Sequence, residues 1–282
     1  MIDAHCHLNA TYTAESVGNI IDKFVASQGE RIVDVTTSSE DFLVSQRIIS
    51  QYPDLVFSTV GFHPESPDGV AEAFEKLIVG FTELSSTLPN ARNIVGIGET
   101  GIDYSFFANF PSTHVQVLEQ QRELFVKHIA LAKQFQLPLV IHARGRHLLD
   151  YSAYSEILSI LLQERFQFSV YFHSFGGDYQ LAKKIVDAGY FIGVNGIVTY
   201  SNAKAIAEVA TKIPSEFLVL ETDSPFLIPS NLERKLLENP KINEPIGVLY
   251  TAKRVATLRQ IQLEEVLQRA TNATKKLFAK ML

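Results

Sequence analysis

His5 and His7 stand two residues apart after a short apolar run, and the two-residue repeat of an extended strand points both imidazoles to one side and Cys6 to the other. Further apolar runs end in groups that are costly to bury: Gly98-Glu99, Ile141-His142, Phe172-His173 and Glu221-Thr-Asp223. One histidine at a strand end is ordinarily a hydrogen-bonded structural residue, and a single His-x-His says little. Four imidazoles and two carboxylates ending different strands are a donor set. They suffice for two divalent ions when one carboxylate bridges them at a separation of about 3.5–4 Å. The expected assignment is one ion on His5, His7, Asp223 and bridging Glu99, and a second on Glu99, His142 and His173, with open positions for water and substrate. Zinc, magnesium, manganese, cobalt and iron all suit such ligands. The chemistry is metal-assisted hydrolysis, in which acidified water attacks, the ions polarise the oxygen under attack and Asp223 accepts the proton. The alternative is a hydrogen-bonded polar network with no ion.

Convergence requires a fold that brings strand ends together. Eight runs rich in β-branched and aromatic residues recur, at 1–4, 31–37, 55–61, 93–98, 137–141, 168–172, 190–194 and 217–221. Most are apolar throughout, as in parallel strands covered on both faces. Helical spacing fills the intervals at 15–26, 39–51, 70–88, 114–136, 155–166, 179–188 and 202–212, and two more helices follow at 246–259 and 263–280. Eight strands alternating with helices predict an α/β fold, a single-domain (β/α)8 TIM barrel over residues 1–282, whose C-terminal strand ends ring one mouth. An open doubly wound sheet is disfavoured, because His5-Cys-His-Leu-Asn9 stands where its glycine-rich phosphate loop would be. Residues 224–245 carry four prolines after the eighth strand and read as an active-site loop or lid.

Composition narrows the function classes. Cys6 is the only cysteine, which excludes an intrachain disulfide and a multi-thiolate zinc site. With 25 basic and 31 acidic residues the formal charge is −6, so the chain does not coat nucleic acid by bulk charge. No apolar run approaches the roughly 20 residues of a membrane span. An acid at position three and no basic-then-apolar leader point to a cytoplasmic protein.

The same residues carry a family resemblance. Ile2-Asp-Ala-His-Cys-His-Leu8, Val60-Gly-Phe-His-Pro64, Ile97-Gly-Glu-Thr-Gly-Ile-Asp-Tyr104, Leu137-Pro-Leu-Val-Ile-His-Ala-Arg144, His173-Ser-Phe, Leu220-Glu-Thr-Asp-Ser-Pro-Phe226 and Asn243-Glu-Pro245 together resemble the TatD-type metal-dependent deoxyribonucleases, within the amidohydrolase-like barrels. The resemblance covers nearly the whole chain, and the family's metal positions fall on His5, His7, Glu99, His142, His173 and Asp223. It implies a hydrolase cutting DNA phosphodiesters with two divalent ions, zinc, magnesium or manganese. It also brings a second activity, hydrolysis of D-aminoacyl-tRNA esters. A metal-binding scaffold with negligible turnover is a third reading, disfavoured because no ligand position is lost. Glu65, Gly176 and Ile242 stand where the family often carries other residues, all outside the metal set.

Around this set, His63 is read as touching substrate phosphate or a ligand, and Arg144 as a phosphate-binding fork. Asp3 and Asp103 are read as orienting ligands or loops. His114 and His128 receive packing or surface roles. Lys183-Lys184, Arg234-Lys235 and residues 144–146 could form a basic collar, and Tyr104, Phe106, Phe107 and Phe110 could stack on unpaired bases or form an apolar lid. DNA is the expected partner, with no membrane and no obligate protein partner; the oligomeric state is left open and compatible with a monomer.

Overall fold

Eight parallel strands run in chain order around one sheet: β1 (Ile2–Cys6), β2 (Arg31–Asp34), β3 (Val56–Val60), β4 (Ile94–Asp103), β5 (Leu139–Arg144), β6 (Val170–Phe172), β7 (Phe191–Val194) and β8 (Leu218–Leu220). The computed structural model describes residues 1–11, 14–65, 91–105 and 114–281. The helix expected over 70–88 and the aromatics Phe106, Phe107 and Phe110 lie outside them. The described helices are α1 (Leu8–Thr11), α2 (Ala14–Ala26), α3 (Ser39–Gln51), α4 (His114–Phe135), α5 (Ser152–Gln163), α6 (Tyr179–Asp187), α7 (Lys204–Lys212), α8 (Gly247–Arg259) and α9 (Leu263–Leu277). The architecture is the expected (β/α)8 barrel in one domain. No described helix is long and apolar enough to cross a membrane.

Strand alternation builds two shells. Val33, Val95, Val140, Tyr171, Phe191 and Val219 fill the barrel interior, and Leu277, Phe278 and Met281 close it from below. Their neighbours Ile32, Ile94, Leu139, Ile141, Phe172, Ile192 and Leu220 face outward against the helices. Two positions beyond interior Val140 and Tyr171 come His142 and His173, so the alternation that packs the core also aims these imidazoles into the mouth. In β1 a register irregularity between Asp3 and Cys6 resets the alternation; Ala4 stays in the interior, Cys6 joins the outer shell, and His5 and His7 both reach the mouth.

Side chain and backbone together close the seam between β1 and β8. A bridge pairs Cys6 with Ser224, the His7 N–H donates to the Ser224 carbonyl (2.8 Å) and the Asp223 N–H to the His5 carbonyl (2.9 Å). Fully buried Asp3 accepts the Thr222 N–H (2.9 Å) and hydroxyl (2.6 Å), with the His5 N–H at 3.4 Å.

Three strands run further than their apolar residues suggest. β1 continues through His5 to Cys6, β4 to Asp103 and β5 to Arg144. Ladder hydrogen bonding does not stop where apolar character stops, and the polar ends are the mouth itself.

A buried histidine ties α4 to the end of β3. His128 donates from Nδ1 to the Leu124 carbonyl (2.8 Å) and accepts the Phe62 N–H at Nε2 (3.0 Å), which requires the neutral ring. Burial lowers its pKa from 6.5 to about 4. The unfolded chain takes up a proton below pH 6.5 while the folded chain resists down to about 4, so this residue's stabilisation is complete above pH 6.5 and is lost on acidification. His128→Gln should lower the urea midpoint at pH 7, and its stability gap to the parent should narrow by about 2 kcal/mol between pH 7 and pH 5. A gap independent of pH would exclude His128 as the source.

Candidate metal centre

Glu99 sits at the centre of the mouth, 3% exposed, delivered by a backbone that only glycine allows. Gly98 has φ +120°, and a Cβ there would meet the Val140 carbonyl oxygen at 2.3 Å; a Cβ on Gly61 would meet Gly98 Cα at 2.5 Å. The bare crossing of β3, β4 and β5 lets the glutamate turn inward at mid-strand.

The two oxygens of Glu99 face different partners. Oε2 is 3.5 Å from His5 Nε2 and 3.8 Å from His7 Nε2, and Asp223 Oδ1 is 3.7 and 3.5 Å from the same nitrogens, which stand 3.2 Å apart. A tetrahedral ion with ligands at 2.0–2.2 Å needs ligand atoms separated by about 3.4 Å, and these five separations straddle that value. Oε1 faces His173 Nε2 (2.6 Å), His142 Nδ1 (3.0 Å) and His63 Nε2 (3.4 Å), with His63 Nε2 3.1 Å from His142 Nδ1. The structure thus gathers His5, His7, Glu99, His142, His173 and Asp223 into one cluster, and among the described residues three groups are close enough to hold an ion, His5–His7–Glu99, His63–Glu99–His142 and His5–His173–Glu221. His63 lies beside them, its Nε2 within hydrogen-bonding distance of His142 and Glu99 while its Nδ1 accepts the Glu65 N–H (3.2 Å). The only sequence signal for it was its place just after β3, level with the other strand-end residues.

Supporting contacts fix which ring nitrogens face inward. His7 Nδ1 donates to the Val35 carbonyl (3.0 Å) and His142 Nε2 to Asp103 Oδ2 (2.8 Å), leaving His7 Nε2 and His142 Nδ1 for the cluster. Asp103 is in turn held by the Ser105 N–H (2.7 Å) and hydroxyl (2.6 Å). The rings of His5 and His173 stack at 3.9 Å, and both Nδ1 atoms are buried without a partner. Glu221, buried beside them, accepts the Ser174 N–H (2.6 Å) and the Tyr171 hydroxyl.

The electrostatics are those of a cation site. Burial opposes ionisation of Glu99, yet His173, His63 and His142 hold its carboxylate well below the usual range. Burial likewise opposes ionisation of Asp223, and His7 and His5 bring it below its ordinary value. Desolvation, reinforced by His173, lowers His5 to about 4. Desolvation would also lower His7 and His142, but Asp223 and Glu99 raise His7 to about 9, and Asp103 and Glu99 raise His142 to about 10. Two ionised carboxylates among inward-facing imidazole nitrogens at ligand spacing, with the outer nitrogens of His7 and His142 already committed, fit divalent ions better than a closed hydrogen-bond network.

Above the cluster opens a cavity of about 990 Å³ lined by His7, His63, Glu65, Arg144, Tyr154 and Phe226, among others. Arg144 stands exposed on its wall. Of the segment 224–245, Phe226 and Leu227 line the cavity, while Ile228, Leu232 and Leu237 pack with Ile246 into a separate apolar cluster. The basic collar is partial: Lys183 pairs with Asp187 and Lys235 with Glu233, leaving residues 144–147 as the basic stretch at the rim.

Asp103→Asn removes the charge that orients His142 and should weaken divalent-metal affinity about 10–100-fold. Competition with a metal-buffering chelator checks this, with circular dichroism showing an unchanged fold. Unaltered affinity would place Asp103 outside the centre's support.

The sequence model for the family described as TatD related DNase matches residues 2–279. The chain is 30% identical over 279 residues to the uncharacterized metal-dependent hydrolase YabD of Bacillus subtilis, covering 99% of this chain and 98% of that one. It is 31% identical over 274 residues to the uncharacterized metal-dependent hydrolase TatD of Mycobacterium tuberculosis, covering 94% and 93%. Among solved structures, the TatD homolog YJJV of Escherichia coli K12 superposes with a TM-score of 0.80 at 24% identity, covering 99% and 98%, and a TatD family hydrolase of Entamoeba histolytica with 0.82 at 19%, covering 99% and 97%. A barrel mouth built as a cation site, in a chain matched along its length by these relatives, belongs to the TatD family of metal-dependent hydrolases.

Proposed function

We propose that the chain hydrolyses DNA phosphodiester bonds, with two divalent ions held by His5, His7, Asp223 and Glu99 and by Glu99, His142 and His173. The observation that carries this reading is the division of the Glu99 carboxylate between two imidazole groups at the floor of a cavity of about 990 Å³ with an arginine on its wall. Such ions, when bound, acidify water and polarise the phosphoryl oxygen under attack. Asp223, ionised and half-buried against His5 and His7, is the base that accepts the proton of the attacking water. Arg144, whose guanidinium pairs with no carboxylate among the described residues, presents its fork to a phosphate oxygen. Glu99 keeps both donor groups anchored to a single residue.

Metal-stripped protein incubated with end-labelled DNA and magnesium, manganese or zinc tests the reading. Metal-dependent shortening of the label is expected, with a fall of at least about 1,000-fold in Glu99→Ala, on the scale set by loss of catalytic groups that act as a unit. The same variant should retain less than one ion per chain by elemental analysis. Intact DNA beside a cleaved D-aminoacyl-tRNA ester would move the substrate class to acyl transfer to water.

Arg144→Ala should raise KM for DNA about tenfold or more, the equivalent of one charge-assisted hydrogen bond, while metal content stays at the parent level. Unchanged KM would remove Arg144 from substrate contact.

A further inference from the structure

The rim loop between β5 and α5 does something unusual for a surface loop. Leu148 is 84% exposed and Leu149 69% exposed, two adjacent large apolar side chains on the wall of the catalytic cavity. Scattered single apolar residues on a surface need no explanation, but this pair is held out by a braced backbone. Asp150 accepts the Arg146 N–H on one oxygen (2.9 Å) and the Ser152 N–H (3.0 Å) and hydroxyl (2.6 Å) on the other, and its own N–H donates to the His147 carbonyl (3.0 Å). A Cβ on Gly145 would meet the Asp150 carbonyl oxygen at 1.9 Å, so the loop ends pass in contact. Leu149 itself sits at φ +72°, a left-handed conformation costly for a bulky side chain.

Charge and size say what meets these leucines. The loop also carries Arg144, Arg146 and His147 at the cavity wall, and its Asp150 carboxylate is engaged on both oxygens; Glu65 is the acid that faces the same space from β3's end. Phe226, 58% exposed, lines the same cavity, its ring 6.2 Å from that of His7. Apolar tips beside cations and an aromatic face match a polyanion with exposed bases. A cavity of about 990 Å³ is the size of a small-ligand pocket, which accepts the end of one strand and not a duplex. A paired terminus must therefore open before its phosphate reaches Glu99.

We propose that Leu148 and Leu149 form an apolar wedge that holds the end of a DNA duplex unpaired, steering one strand terminus past Arg144 and onto Phe226. The inference rests on the DNA reading above and adds a residue pair that sets preference between paired and unpaired ends. An already unpaired ester substrate such as aminoacyl-tRNA has no use for it.

The test is the variant Leu148→Ser/Leu149→Asn, with exposed positions changed to polar residues and asparagine chosen because it accepts the left-handed backbone. In metal-free protein, a blunt duplex carrying 2-aminopurine at its terminal nucleotide reports unstacking by a rise in fluorescence. The parent should raise the signal about twofold or more and the variant should not. With metal added, the variant should lose at least about tenfold in kcat/KM on blunt duplex and no more than about threefold on single strands, mainly through KM. Equal losses on both substrates, undiminished duplex digestion, or the same fluorescence rise in both proteins would overturn the wedge. A parent that shortens no DNA with any metal overturns instead the nuclease reading, before the variant is compared.

Discussion

An ionised carboxylate buried at the mouth of a barrel is the constraint around which this structure is arranged. Glu99 is 3% exposed, and a carboxylate so placed costs several kcal/mol unless charge or hydrogen bonds compensate it. The compensation comes from five imidazoles on four strand ends, and from the cations that their inward nitrogens are spaced to hold. Gly98 and Gly61 follow from the same need, because a side chain at either would keep β4 from turning Glu99 inward between β3 and β5. Polar groups crowd the mouth, while the interior below it is apolar and closed by Phe278. The barrel is thus stable at one end and reactive at the other.

Barrel closure and the metal centre depend on each other. The seam between β1 and β8 rests on Asp3, on one bridge and on the Asp223 N–H reaching the His5 carbonyl. His5 and Asp223 come from opposite ends of the chain and become neighbours only when that seam forms. Asp223 adopts a left-handed conformation, φ +54°, which aspartate tolerates better than most residues. Burial raises the Asp3 carboxyl well above its ordinary range against the bonds from Thr222, so much of its value is geometric: it sets Thr222, and through it the turn that aims Asp223.

The fold was legible because its repeat is physical. Apolar runs alternating with helical spacing placed all eight strands and, among the described residues, every long helix to within a few positions. Strand ends were read short because apolar character fades at the mouth while the ladder continues, as in β4, which runs to Asp103. The six candidate ligands were read from their common place after strands, and the structure brings these side chains into one cluster. His63 was read, from its place after the third strand, as touching substrate phosphate or a ligand, and the structure puts its Nε2 3.1 Å from His142 Nδ1. Spacing in sequence cannot show that His128 would brace the loop carrying His63, since its partner is a backbone N–H 66 residues away. The β5–α5 loop was not legible either: nothing in the sequence marks Leu148 and Leu149 as exposed, and only the structure shows the Asp150 brace beside them.

Specificity in such a site must come from the rim. The floor offers imidazoles and carboxylates that could hold cations, a kind of set that serves attack on phosphoryl and acyl centres alike, and its residues are too buried and mutually bonded to vary without loss of the centre. Burying a leucine side chain would stabilise the chain by about 1.5–3 kcal/mol, and the β5–α5 loop leaves two such gains unused beside the cavity. It also keeps Leu149 in a backbone region that disfavours it. A loop free of function would relax by turning these side chains inward or replacing them with polar ones. Stability forgone on the wall of the cavity, on a loop that also carries Arg144 and Arg146, is the physical mark expected of a surface shaped for binding rather than for the fold beneath it.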